Sequence, residues 1–148
     1  MDDDDHPGPW PRVLISDRQD LPLDAAALVE VARETLRQEG FARVELSLSL
    51  VGEDEIAELH ERFMDVPGAT DVLSFGLDDV DEEDTRLLGD VVVAPAVAAR
   101  NNPEDLAGEL RLLVVHGILH LLGYDHDEDG GRTRMWERQE RYSGVRAP

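Results

Sequence analysis

Cysteine and lysine are both absent from this sequence. Without cysteine there is no disulfide framework and no thiolate ligand, so any metal site must be built from His, Asp and Glu. Without lysine every basic side chain is an arginine, and 14 of them face 34 acidic residues for a net charge of -20. Nucleic-acid binding draws most of its affinity from neutralised phosphates, so this balance excludes a broad basic surface and confines any RNA contact to a local patch. The cations that remain are forked donors suited to phosphate. Also missing is a long apolar run: residues 112–122 form the longest, two histidines break it, and it falls short of the ~20 residues of a membrane span. The opening MDDDDHPGPWP has no basic region followed by an apolar stretch, so it does not read as a secretory signal. The expected location is cytoplasmic, away from any membrane.

At 148 residues the chain has room for one domain with a proper core. Residues 1–11 read as a disordered acidic tail, 12–142 as a single domain and 143–148 as a C-terminal tail. Within the domain, residues 12–16 have the apolar β-branched centre of a strand, and 23–38 carry apolar residues at helical spacing until Gly40. Val44, Leu46, Leu48 and Leu50 alternate with Glu45, Ser47 and Ser49, the period of a half-buried strand. Residues 53–64 place Ile56, Leu59 and Phe63 on one helical face behind an acidic first turn, and Pro67 and Gly68 then force a turn. Residues 71–75 and 88–93 read as two more strands, separated by an acidic, solvated loop over 78–84. Asn102, Pro103 and Glu104 are expected to open a helix, apolar almost all round, that runs to about Leu122 and is stopped by Gly123. A last helix over 132–142 is charged on most faces and is expected on the surface. The reading is one α+β, or mixed α/β, domain with about four strands.

Three of the five histidines stand at positions 116, 120 and 126. On a helix, His116 and His120 project from one face with Cβ atoms ~6 Å apart, close enough to converge on one ion. Gly123 lets the chain turn so that His126 returns to the same point. Imidazoles on a helix otherwise made of Leu, Val and Ile are costly to bury unsatisfied, and a metal satisfies them. Three neutral imidazoles leave a fourth position open, the arrangement of a catalytic zinc. Gly117, inside the helix, marks a close approach to the backbone. His6 and His60 are expected to be solvent-exposed. Asp125, Asp127, Asp129 and Gly130 imitate the first half of a calcium-binding EF-hand loop, but position twelve would be Trp136 where a bidentate Glu is required, which excludes calcium.

The spacing of His116, His120, Gly123 and His126 also matches the metzincin proteases, whose pattern places a general-base Glu after the first His. Here that position is Gly117, so the residue that specialises such a scaffold for peptides is missing. The run HGILHLLGYDHDED, the upstream TDVLSF and LGDVVVA, and Met135 with Glu137 together resemble the YbeY family over roughly residues 59–140. The resemblance implies a zinc-dependent, single-strand-specific endoribonuclease that matures the 3′ end of small-subunit (16S) rRNA and takes part in ribosome quality control. Its fold would be metalloprotease-like, with one zinc ion on His116, His120 and His126 and with rRNA and the small ribosomal subunit as partners. It also suggests that Asp71, Ser74 and Asp90 line the cleft.

The chain departs from that family's pattern at four positions. His60 and Met64 stand where Asn and Arg are expected, and Ala69 and Gly76 stand where Pro is usual. The loss of the arginine leaves Arg62 as the candidate phosphate binder or charge stabiliser. Asp125, beside a ligand, is a candidate base or a carboxylate that orients an imidazole. The attacking group, an activated water or the neighbouring ribose 2′-hydroxyl, stays open. Two other classes remain beside the ribonuclease: a metallopeptidase, and a metal-stabilised module that binds RNA or ribosomes with little catalysis.

Overall fold

A computed structural model of the protein describes residues 10–124 and 129–145. Its elements follow in the order β1 (Arg12–Arg18), α1 (Ala25–Gln38), β2 (Val44–Val51), α2 (Glu53–Met64), β3 (Val72–Val80), β4 (Arg86–Val93), α3 (Pro95–Asn101), α4 (Leu106–Leu121) and α5 (Asp129–Ser143). The strands form one sheet in the order β1-β2-β4-β3. β1, β2 and β4 run parallel, and β3 lies antiparallel to β4 at one edge.

Side-chain alternation decides which face of the sheet each helix covers. Val44, Leu46, Leu48 and Leu50 of β2 point to one side with Val91 and Val93 of β4, and there they meet Leu28, Ala32 and Leu36 of α1 and Leu110, Val114 and Ile118 of α4. The other side is only partly covered: Val51, Leu73 and Val92 pack with Ile56 of α2 and Val97 of α3. α1 starts where the Asp24 side chain accepts a hydrogen bond from the Ala27 amide. At the other end of the described chain, α5 docks on α4 through Met135, which is fully buried against Val115 and Leu119.

Besides the short α3, which the sequence reading lacks, four details differ from it. The 78–84 segment is not a free loop: β3 continues to Val80, and the turn beyond it is tightened by the Asp81 carboxylate, which accepts from the amides of Glu83 and Thr85 at 2.8 and 2.9 Å. The central helix begins at Leu106 and not at Asn102, because the Asp105 carboxylate caps it by accepting from the Gly108 amide at 2.9 Å. α5 is no purely surface helix, since its Met135 face is covered. Phe63, expected on the packed face of α2, is 59% exposed. None of the described helices is long and apolar enough to cross a membrane.

Candidate metal centre

α4 is wrapped by the sheet, α1, α3 and α5, which explains its nearly uniform apolar sequence. Leu110, Leu113, Val114, Val115, Ile118 and Leu119 are buried on all these sides. The stripe left over carries His116, half-buried, and His120, exposed, one turn apart. Both imidazoles line a cleft of about 200 Å³ with Met64, Val72, Leu73 and Ser74. A second hollow adjoins it at His116, lined also by Asp71, Leu112 and Gln139.

His116 is oriented from α5. Its Nδ1 lies 3.0 Å from Gln139 Oε1, and since an amide oxygen only accepts, the imidazole donates there and carries its lone pair on Nε2. This is the geometry by which outer partners of metal-binding histidines fix the tautomer. The donor set therefore suits a divalent ion such as zinc at His116 and His120. Their predicted companions, His126 and Asp125, lie outside the described residues. Among the described residues no group of three or more possible ligands gathers.

Gly117 has a packing reason. A Cβ at this position would sit 2.7 Å from Val91 Cγ1 and 3.1 Å from Ser74 Oγ, so any side chain would force Val91 or the helix to shift. The Ser74 hydroxyl fastens the same spot by donating to the Gly117 carbonyl at 3.2 Å. Ser74 thus both borders the cleft and holds the helix that carries the histidines. Gly123, with φ +101°, makes the turn after α4 that the sequence anticipates.

Asp71 borders the second hollow and accepts from Asn101 Nδ2 at 3.2 Å. Asp90 is exposed on β4, paired in register with Phe75 on the sheet, and does not line either hollow. His60, expected to be free in solvent, is half-buried and donates from Nδ1 to the Gly68 carbonyl at 2.9 Å, tying α2 to the turn after it. Two residues near the site went unnoticed in the sequence. One is Gln139. The other is Glu109, two turns before His116, whose burial raises its pKa; the charges of Asp71 and Asp105 add to that, while a hydrogen bond with Asn102 opposes it.

The sequence profile of the family described as Endoribonuclease YbeY matches residues 15–144. The chain belongs to the YbeY endoribonuclease family. Among its relatives, the Endoribonuclease YbeY of Acidothermus cellulolyticus is 43% identical, with 86% of each chain covered. That of Streptomyces coelicolor is 41% identical, with 79% of each covered. A solution structure of a Thermotoga maritima protein superposes with a TM-score of 0.58 at 33% identity, covering 88% of this chain and 86% of that one.

As a YbeY-family chain, this protein handles its departures from the expected pattern in two ways. Met64, in place of the expected arginine, forms part of the cleft wall itself. Arg62, the candidate substitute, lies outside the lining of either hollow, with its guanidinium over the Phe63 ring, 5.8 Å from the centroid.

Proposed function

We propose that the protein is a zinc-dependent, single-strand-specific endoribonuclease of the cytoplasm that matures the 3′ end of 16S rRNA and serves ribosome quality control. His116, His120 and His126 would hold the ion. The observation that carries this reading is the pair of imidazoles, one fixed by Gln139, lining a single cleft in a chain of this family. An ion held there supplies Lewis-acid stabilisation of charge developing on a scissile phosphate. The chain's own groups do the rest. Gln139 holds the proton on His116 Nδ1, the Ser74 hydroxyl fixes α4 against β3, and Met64, Val72 and Leu73 give the cleft an apolar wall that strengthens electrostatic contacts inside it. Asp125 is the proposed acid–base or orienting carboxylate.

The peptidase reading loses ground on a specific point. The position that would carry its general base is Gly117, where Val91 leaves no room for a side chain.

Metal content and cleavage of rRNA fragments and of casein, compared for wild type and His116→Ala, test the proposal. The expected result is stoichiometric zinc and RNA cleavage in wild type, both lost in the variant, with casein intact. Metal-free wild type, or RNA cleavage unchanged in His116→Ala, overturns it. Casein cleavage that the substitution abolishes favours the peptidase, and zinc with RNA binding but no cleavage favours the binding module.

A further inference from the structure

The chain has three phenylalanines. Phe41 and Phe75 are half-buried, while Phe63 is 59% exposed near the end of α2. Its ring meets Phe75 edge to face, with centroids 5.4 Å apart and planes at 66°, so much of its surface stays uncovered. The next residue, Met64, is 44% exposed and lines the cleft with His116 and His120. Leu77 of β3, at 57%, and Val66, at 44%, extend the exposed apolar surface of this part of the chain. Of these groups, Phe63 stands next in the chain to the cleft residue Met64.

Arg62 supplies a second, independent observation. Many arginines here are paired with carboxylates: Arg12 with Glu45, Arg18 with Glu55, Arg37 with Glu34, Arg100 with Glu53 and Arg138 with Glu39. Arg62 makes no hydrogen bond or ion pair with any described residue, although 34 acidic residues are available in the chain. Its guanidinium lies over the Phe63 ring. The Phe63 ring and a guanidinium that makes no ion pair with a described residue match the two parts of a nucleotide, a base that stacks and a phosphate that accepts forked hydrogen bonds.

We propose that Phe63 and Arg62 form a nucleotide subsite beside the cleft, where an unpaired base of the RNA substrate stacks on Phe63 and its phosphate pairs with Arg62. The inference rests on the ribonuclease reading above and adds where single-strand preference arises. A base inside a duplex keeps both faces covered by its neighbours, so only an unpaired nucleotide can reach this ring. The subsite is local, as a chain of net charge -20 requires.

The test uses the zinc-loaded full chain and a short, ribose-methylated single-stranded oligonucleotide with a fluorescent adenine analogue. Wild type is expected to quench the fluorophore on binding. Phe63→Leu should weaken Kd about tenfold, the scale of one lost base–aromatic stack. It should raise KM for an rRNA fragment with kcat and zinc content unchanged. Phe63→Trp should restore binding, and Arg62→Gln should weaken it and flatten its salt dependence. A probe with an abasic site at the quenched position should bind wild type and Phe63→Leu alike. Equal affinity of wild type and Phe63→Leu, while wild type cleaves RNA normally, overturns the subsite and leaves the ribonuclease reading intact. Failure of Phe63→Trp to rescue, or a change only in self-association, also overturns it in favour of a structural or protein-binding patch. Wild type that neither binds the probe nor cleaves RNA overturns both.

Discussion

A glutamine oxygen accepts hydrogen bonds and cannot donate them, so Gln139 constrains His116 to one tautomer without adding charge to the cleft. Replacing it with leucine leaves the volume and removes the acceptor. Gln139→Leu should weaken zinc binding about 10- to 100-fold, the range seen when such outer partners are lost. Competition against a chelating dye measures this, with circular dichroism to confirm an unchanged fold. Affinity equal to wild type would remove Gln139 from the site. The pair His116 and His120 was legible from spacing alone, because four residues on a helix leave little freedom of direction. Gln139 was not, since its partner lies 23 positions away and only the docking of α5 brings them together. A signal existed: Gln139 follows Met135 by four residues, so a buried methionine implies that the glutamine faces inward too. Gly117 was read as a close approach, and the structure names the neighbour as Val91.

Between elements, one polar junction centres on Glu39, just past α1. Its carboxylate, with a side chain 9% exposed, accepts from Tyr124 Oη at 2.6 Å, from Arg138 Nε at 3.1 Å and from the Tyr142 hydroxyl. One group thus joins the end of α1, the segment after α4 and the face of α5. Burial by itself would push its pKa up, but the two phenols and the guanidinium outweigh it and hold the carboxyl below its ordinary value. A carboxyl lowered in the folded state stabilises the protein at pH values above its unfolded pKa, and that contribution disappears as pH falls through the folded value. Glu39→Gln should therefore cost about 2–3 kcal/mol at neutral pH, the scale of hydrogen bonds to a charged group. Urea titrations should show the gap from wild type narrowing as pH drops below the carboxylate range. A gap independent of pH would mean that the loss is one of packing. Tyr142, pushed up to about 12 by burial and by its bond to Glu39, should titrate nearer its ordinary value in the variant, as followed by ultraviolet absorbance. At this scale the sequence was read best where periodicity was clean, as in β2 and α2. It was read worst where short elements meet. α3 was missed although Pro95 stands at its first position, a start signal that seven residues were too few to support. The start of α4 is ambiguous in the sequence because Pro103, of a type favoured at a first helical position, stands two residues before the actual cap, Asp105.

Across the whole molecule, a charge of -20 on 148 residues means that the folded chain repels itself. Added salt screens that repulsion over a Debye length of about 8 Å at physiological strength. Tm should rise as sodium chloride goes from low to physiological concentration, measured by calorimetry; a flat or falling Tm would show that local ion pairs outweigh the global repulsion. The mixed α/β class could be read from alternating periods, but the strand order could not. Nothing in residues 72–80 says that this strand runs against its neighbour, since that depends on the short turn after it and on which partner is free when the chain returns.

That order leaves β3 with one paired side and one side unpaired among the described strands. Such a margin is a template on which another chain can crystallise its own strand, and Leu77 and Val80 make it sticky. Asp79, between them and exposed, is the kind of charge that keeps neighbours away. The screening that steadies each copy therefore also lowers the fence between copies. Light scattering should climb over the same range of salt in which the melting temperature rises, and Asp79→Asn should bring the onset to lower salt.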